Sequence, residues 1–225
     1  GAAMSANGGW TPTYVNDTID GSPARVLSFP AMSDSQALDM PNEATPDDFG
    51  ILTTTNVWTI VMDVKFPQLN AFTALYNTDS ALDTDGEYFI RDDSGAGAFG
   101  GIGISGLYNG QFDADTWKRI AVKVDGSANG GAYQVTGYID GVLAGTSTTS
   151  TAPNGRQGIK DLLRLFADDD FETAAGLVNS VAFYDELLSD DEIAALGGAT
   201  AAGIPVESSA VPGDYNQNGV VDAAD

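Results

Sequence analysis

In NVWTIVMDVKFP, residues 56–67, apolar side chains recur at every second position. Trp58, Ile60, Met62, Val64 and Phe66 share one face, and Val57, Thr59, Val61, Asp63 and Lys65 share the other. A period of two is the signature of a strand with one face in a core. WKRIAVKV repeats it, with Ile120, Val122 and Val124 inward and Arg119 and Lys123 outward. YQVTGYI places Tyr133, Val135 and Ile139 together. The Gly-rich DGSANGGA, 125–132, joins these last two strands as a hairpin loop, and Asp140-Gly141 predicts a tight two-residue hairpin. Further strands are expected at 24–29, 73–77, 87–91, 101–108, 162–167 and 177–184. Many short strands separated by Gly and Asp turns predict an all-β chain, a two-sheet antiparallel sandwich or jelly roll.

One segment breaks the pattern. SDDEIAALGG carries Ser189 as a helix N-cap with Glu192 three residues on, a capping box. Asp190 and Asp191 suit the positive N-terminal end of the helix, and Gly197-Gly198 end it. Ile193 and Leu196 share a face, so this helix is expected to plug one edge of the sandwich. ATAAGIPVESSAVP, 199–212, reads as a linker, and residues 1–7 as a disordered or tag-like N-terminus.

The tail GDYNQNGVVDAAD has a spacing of its own. Counted from Asp214, side-chain oxygens fall at loop positions 1, 3, 5, 9 and 12: Asp214, Asn216, Asn218, Asp222 and Asp225. Gly219 at position 6 allows the sharp turn, and the Val220 carbonyl supplies position 7. Ca²⁺ takes about six to eight oxygens, and this order wraps them around one point. The loop resembles half of a dockerin, whose loops also carry Asp at position 12. That resemblance implies a docking function, with a cohesin-like partner, for the parent protein. A single loop predicts weak affinity, roughly 10⁻⁴ to 10⁻³ M.

Composition narrows the chemistry. No Cys and no His are present, which removes thiol chemistry, disulfides and the commonest general base. The formal charge is −23, from 32 acidic and 9 basic residues. Such a surface repels nucleic acid and anionic membranes and favours cations. No apolar run approaches the length of a membrane span.

Three stretches are similar to laminin-G-like domains of the concanavalin A-like lectin and glucanase superfamily. TWKRIAVKVDG followed by GYIDGVLAG resembles the central hairpin. LLRLFADDDFETAAGLVNSVAFYDELLSDDEIAALGG resembles the closing strand pair and short helix, and VLSFPA resembles the first strand. The resemblance implies that residues 8–198 form a two-sheet jelly roll in a secreted protein. It also implies a Ca²⁺ near the sandwich rim, for which Asp168, Asp169 and Asp170 in FADDDFE are the candidates. Asp79, Asp83 and Asp85, or Asp92 and Asp93, are alternatives; solvated turn aspartates are the plain reading of each group. Glucanases of this superfamily carry Glu-x-Asp-x-x-Glu on one strand. None of the six Glu, at 43, 87, 172, 186, 192 and 207, fits that spacing.

GAGAFG, 95–100, matches the dinucleotide fingerprint but lacks the strand before and the helix after. Trp10, Tyr108 and Phe112 lie in turn-like contexts and are the candidate glycan-stacking rings, whereas Trp58 and Trp117 read as core. The chain is therefore expected to be a non-catalytic, Ca²⁺-dependent module that binds a glycan or an extracellular protein. A structural subunit of an extracellular assembly, self-assembling through strands 24–29 or 177–184, is the alternative. A glycoside hydrolase is the more distant one.

Overall fold

The computed structural model describes residues 3–47, 54–78, 86–92, 101–104, 106–127, 133–148 and 156–205. The tail loop, the 95–100 glycine run, Asp79, Asp83, Asp85 and Asp93 lie outside these residues.

Two seven-stranded sheets face each other. The first runs, in spatial order, β1 (Ser5–Asn7), β4 (Ala37–Pro41), β13 (Leu162–Leu165), β6 (Phe72–Asn77), β7 (Glu87–Arg91), β8 (Gly101–Ile104) and β9 (Leu107–Asn109). The second runs β12 (Val142–Thr148), β11 (Gln134–Ile139), β10 (Lys118–Asp125), β5 (Val57–Lys65), β14 (Gly176–Tyr184), β3 (Ser22–Phe29) and β2 (Thr13–Ile19). All the strand pairs are antiparallel. VLSFPA therefore belongs to the third strand rather than the first. Strands 24–29 and 177–184 lie inside the sheet order and pair with each other over Leu27–Phe29 and Gly176–Val178; beyond that stretch β3 pairs with β2 and β14 with β5. Residues 5–7 are not a loose terminus, because they pair with β4.

The alternating apolar faces meet between the sheets. Trp58, Ile60, Met62, Val64 and Phe66 of the second sheet pack with Leu75, Tyr76, Tyr88, Ile90, Ile102, Leu163 and Leu165 of the first. The Trp58 ring lies 5.3 Å from Tyr76, edge to face, and its indole N–H donates to the Gln157 carbonyl at 3.0 Å. Phe29 stacks on Phe166 with centroids 4.1 Å apart. Such pairings add to the apolar burial that dominates stability.

The expectation that Thr59, Val61, Asp63 and Arg119 face solvent fails. Thr59, Val61 and Asp63 are fully buried, and Arg119 is 2% exposed. The cause is a covering layer on the outer face of the second sheet. The helix α1 (Asp190–Leu196) packs Ile193 against Val61, Ala121 and Tyr138, joined by Leu188 and Ile204. It covers a face rather than an edge. Residues 199–205 follow it down; Ala199 and Ala201 pack beside Ile19, Ala24 and Val26, so this stretch is docked rather than a linker. The Arg119 guanidinium grips both Asp63 oxygens, at 2.7 and 2.9 Å. It also donates to the Leu196 and Gly203 carbonyls, and Ser180 Oγ donates to Asp63 at 3.0 Å. The buried ions are thereby fully bonded.

The predicted capping box forms. Ser189 Oγ accepts from the Glu192 N–H at 3.2 Å, and Glu192 accepts from the Ser189 N–H at 2.7 Å. Ser189→Ala is expected to cost about 1 kcal/mol in a urea melt, since it orphans a backbone donor at the helix start.

Candidate functional site

The acidic loop FADDDFE owes its position to the first sheet. β13 pairs with β6 only over Arg164–Asn77 and Leu165–Tyr76. The Phe166 N–H still reaches the Leu75 carbonyl at 3.2 Å, and the chain returns where Glu172 accepts from the Ala74 N–H at 2.7 Å. Between those two bonds the loop bulges out of the sheet, beside an irregularity in β6 between Ala74 and Tyr76. Phe166 and Phe171, both with φ of 61°, mark its two corners. Thr173 Oγ1 pins the far end to the Met32 carbonyl at 2.8 Å.

This bulge brings Asp168 and Asp169 to Glu87 of β7, with one carboxylate oxygen from each within 4.8 Å of the others. Glu87 reaches the cluster because β13, β6 and β7 are spatial neighbours, although 168 and 87 are far apart in sequence. Asp168 is 2% exposed, and its Oδ2 accepts from the Asp170 and Glu172 N–H groups at 2.9 and 3.1 Å. Glu87 accepts from Asn77 Nδ2 at 2.8 Å. Asp170 is exposed and contributes its N–H rather than its carboxylate. The resemblance-based set of Asp168, Asp169 and Asp170 is thus replaced in the cluster by Glu87, Asp168 and Asp169.

The field at this bulge is strongly negative. Burial pushes the Glu172 carboxyl up from its ordinary value, and Asp168, Asp170 and Asp169 push it further. Converging carboxylates, one of them buried, fit a hard cation: oxygen donors, high negative charge and fixed backbone support. Transition metals that favour nitrogen or sulfur donors find neither here.

Away from the bulge, Glu87, Phe89 and Arg91 follow at two-residue spacing on the outer face of β7. Arg91 lies over the rings of Phe72 and Tyr108, 5.6 and 5.3 Å from their centroids. Burial raises the Tyr108 hydroxyl above its usual value, Glu172 adds to this, and Arg91 opposes it. Of the three predicted stacking rings, only Tyr108 is partly accessible. Trp10 is 9% exposed with its N–H donating to the Ala37 carbonyl at 3.0 Å, and Phe112 is 2% exposed, packed edge-on against Phe66. Both are core. Trp117, read as core, is instead half-buried on the outside of the second sheet. Sequence reasoning also passed over Phe171, 61% exposed at the tip of the bulge. An aromatic residue set between Asp170 and Glu172 in an acidic turn was the available signal.

A cleft of about 660 Å³ bounded by Met40, Pro41, Val181, Phe183, Glu43 and Asp185 contains none of the three clustered carboxylates.

Among solved structures the chain is similar to domain 4 of AbnA, a GH43 extracellular arabinanase from Geobacillus stearothermophilus, in complex with arabinotriose. That match has a TM-score of 0.55 and 20% identity over 86% of this chain and 87% of that one. A heptameric SAP-like pentraxin from Limulus polyphemus matches with a TM-score of 0.51 and 15% identity, covering 74% and 78%. A sialidase from Trypanosoma rangeli matches with a TM-score of 0.52 and 12% identity over 76% of this chain but 27% of that one. At these identities the likeness establishes the fold alone. No curated protein sequence matches the chain. The laminin-G-type pattern described as the concanavalin A-like lectin/glucanases superfamily matches residues 36–194, most of the two-sheet sandwich, and the chain therefore belongs to that family.

Proposed function

We propose that this domain is a secreted, non-catalytic carbohydrate-binding module that uses Ca²⁺ held by Glu87, Asp168 and Asp169. The observation that carries the reading is the buried Asp168 carboxylate, supported by two backbone N–H groups and gathered with two further carboxylates beside the exposed Phe171 ring. Like charges so placed favour a cation between them. A Ca²⁺ bound there would offer spare coordination positions to sugar hydroxyls.

The protein's own groups supply the rest. Phe171 offers an apolar ring to a sugar face, and Tyr108 with Phe72 offers a second platform on the outer face of the sheet. Along β7, Glu87 and Arg91 stand about 13 Å apart, the rise of four extended residues. A glycan of a few units could span both. The arabinotriose in the AbnA domain structure supports a glycan ligand in this fold class. The dockerin-like tail adds a docking role for the parent protein, resting on the Asp214–Asp225 spacing alone.

The test is a glycan array of the whole chain, with Ca²⁺ and then with EDTA. A specific hit that disappears in EDTA and in Phe171→Ala is expected. Hits unchanged by EDTA would sink the calcium part of the reading, and a blank array in both conditions would sink the glycan part.

A further inference from the structure

A second cleft, of about 570 Å³, opens at one end of the second sheet, and its lining shares no residue with the acidic bulge. Its aromatic wall is Trp117. The ring packs against Ile19, Ala24 and Val26, and the indole N–H donates to Asp17 Oδ2 at 3.2 Å. Of the three Trp in the chain, Trp10 and Trp58 are buried and only Trp117 is partly exposed. An indole is thus fixed by packing and, at its edge, by a hydrogen bond; it lines the cleft with Lys65 Nζ over its ring, 6.0 Å from the centroid.

The polar lining is lopsided. Lys65 is bound by Asp17 at 2.6 Å and Asp115 at 3.5 Å, so its charge is already neutralised. Asp140 accepts from Lys118 Nζ at 2.8 Å and from the Arg119 N–H at 2.9 Å. Asp20 lines the same cleft, exposed, and among the described residues its carboxylate has no hydrogen-bond or ionic partner. An anionic ligand would meet net negative charge here. A planar apolar wall, with carboxylates able to accept hydroxyl protons, suits a neutral polyhydroxylated ring.

The geometry points to a second carbohydrate subsite in this cleft, in which one pyranose ring of a neutral glycan lies on Trp117 and donates hydroxyl hydrogen bonds to Asp20 and Asp115. This subsite rests on the carbohydrate-binding reading above but not on calcium, because nothing in its lining needs a metal.

The intact chain, in EDTA, is titrated with cellotetraose, xylotetraose, mannotetraose and arabinotetraose while tryptophan fluorescence is followed. A saturable shift with at least one probe is expected, because Trp117 is the partly exposed indole. Calorimetry with that probe then compares variants. Trp117→Ala should weaken binding at least about tenfold, the loss of one stacked ring. Trp117→Phe should restore it to within about threefold of the native chain. Asp20→Asn tolerates the positive φ of 47° at this turn and should weaken binding about fivefold, as a charged acceptor becomes neutral. Thermal melts identify any variant that has unfolded, and Asp20→Asn alters no packed surface. No response to any of the four probes in EDTA overturns the subsite. So does binding that Trp117→Phe and Asp20→Asn both abolish or that Trp117→Ala leaves intact. A response only with Ca²⁺ present overturns this subsite and leaves the calcium reading standing. A response in EDTA alongside an array without Ca²⁺-dependent hits supports the cleft and removes the calcium site.

Discussion

Asp168→Asn is expected to lower Ca²⁺ affinity roughly 100-fold while leaving the metal-free protein folded. One unit charge about 4 Å from another is worth about 4 kcal/mol at an effective permittivity near 20, and desolvation offsets part of that. About 1.4 kcal/mol corresponds to each factor of ten. The asparagine oxygen can still accept from the Asp170 and Glu172 N–H groups, so the bulge keeps its support. The native chain should gain about 2.7 kcal/mol at a Ca²⁺ concentration about 100 times the dissociation constant. For a domain of this size that raises the melting temperature by about 5–10 °C. The variant should show almost none of this gain at the same concentration. Calorimetric titration and melts with and without EDTA give both numbers. Equal Ca²⁺ affinity in native and variant chains would remove the metal centre. A weaker second class of sites, lost in Asp214→Ala, is expected from the tail loop.

The same cluster sets a pH dependence. Glu172 titrates above its ordinary value in the folded chain, through burial first and then Asp168, Asp170 and Asp169. Between its unfolded and folded pKa the native state therefore binds more protons than the unfolded one. By linkage, its contribution to stability falls as pH rises through that window. Ca²⁺ beside it should flatten this slope, and Asp168→Asn should flatten it without metal.

The largest effect on stability is expected from Arg119→Met. It leaves Asp63 with no exposure and no cation, and breaking a buried ion pair from one side costs about 3–5 kcal/mol. The melting temperature should fall by about 6–20 °C. Loss should appear first in the covering layer, because Arg119 also holds the Leu196 and Gly203 carbonyls. Hydrogen exchange in α1 and 199–205 is the probe. Adding Asp63→Leu to that variant should recover part of the loss by removing the stranded charge; the two carbonyls lack Arg119 in both variants, and Ser180 loses its Asp63 acceptor only in the double one. A single variant less than about 1 kcal/mol below the native chain would show that this ion pair does not clamp the layer.

Most of the strands, the inward face of β5, the capping box and the Asp140-Gly141 corner were readable along the chain, because each depends on residues a few positions apart; β1, β2 and β4 were not read, and the expected strand 101–108 is the hairpin of β8 and β9. Periodicity also marked FADDDFE as an acidic loop after a strand. It could not supply Glu87, which joins Asp168 and Asp169 only because β13, β6 and β7 are neighbours in the sheet. Burial misled it in both directions. Trp10 and Phe112 sit in turn-like sequence but are drawn into the core by long-range packing, whereas Trp117 lies in a strand-like run and faces outward. Asp63 and Arg119 alternate as solvent-facing residues should, yet a helix and a short tail more than fifty residues away close over them. Local spacing therefore determined most of the strands and which face of each is apolar, since that is settled within a few residues by backbone geometry. Strand order and the covering layer decided which carboxylates converge, which rings are exposed and which charges are buried, since those depend on contacts between segments that only the folded chain brings together.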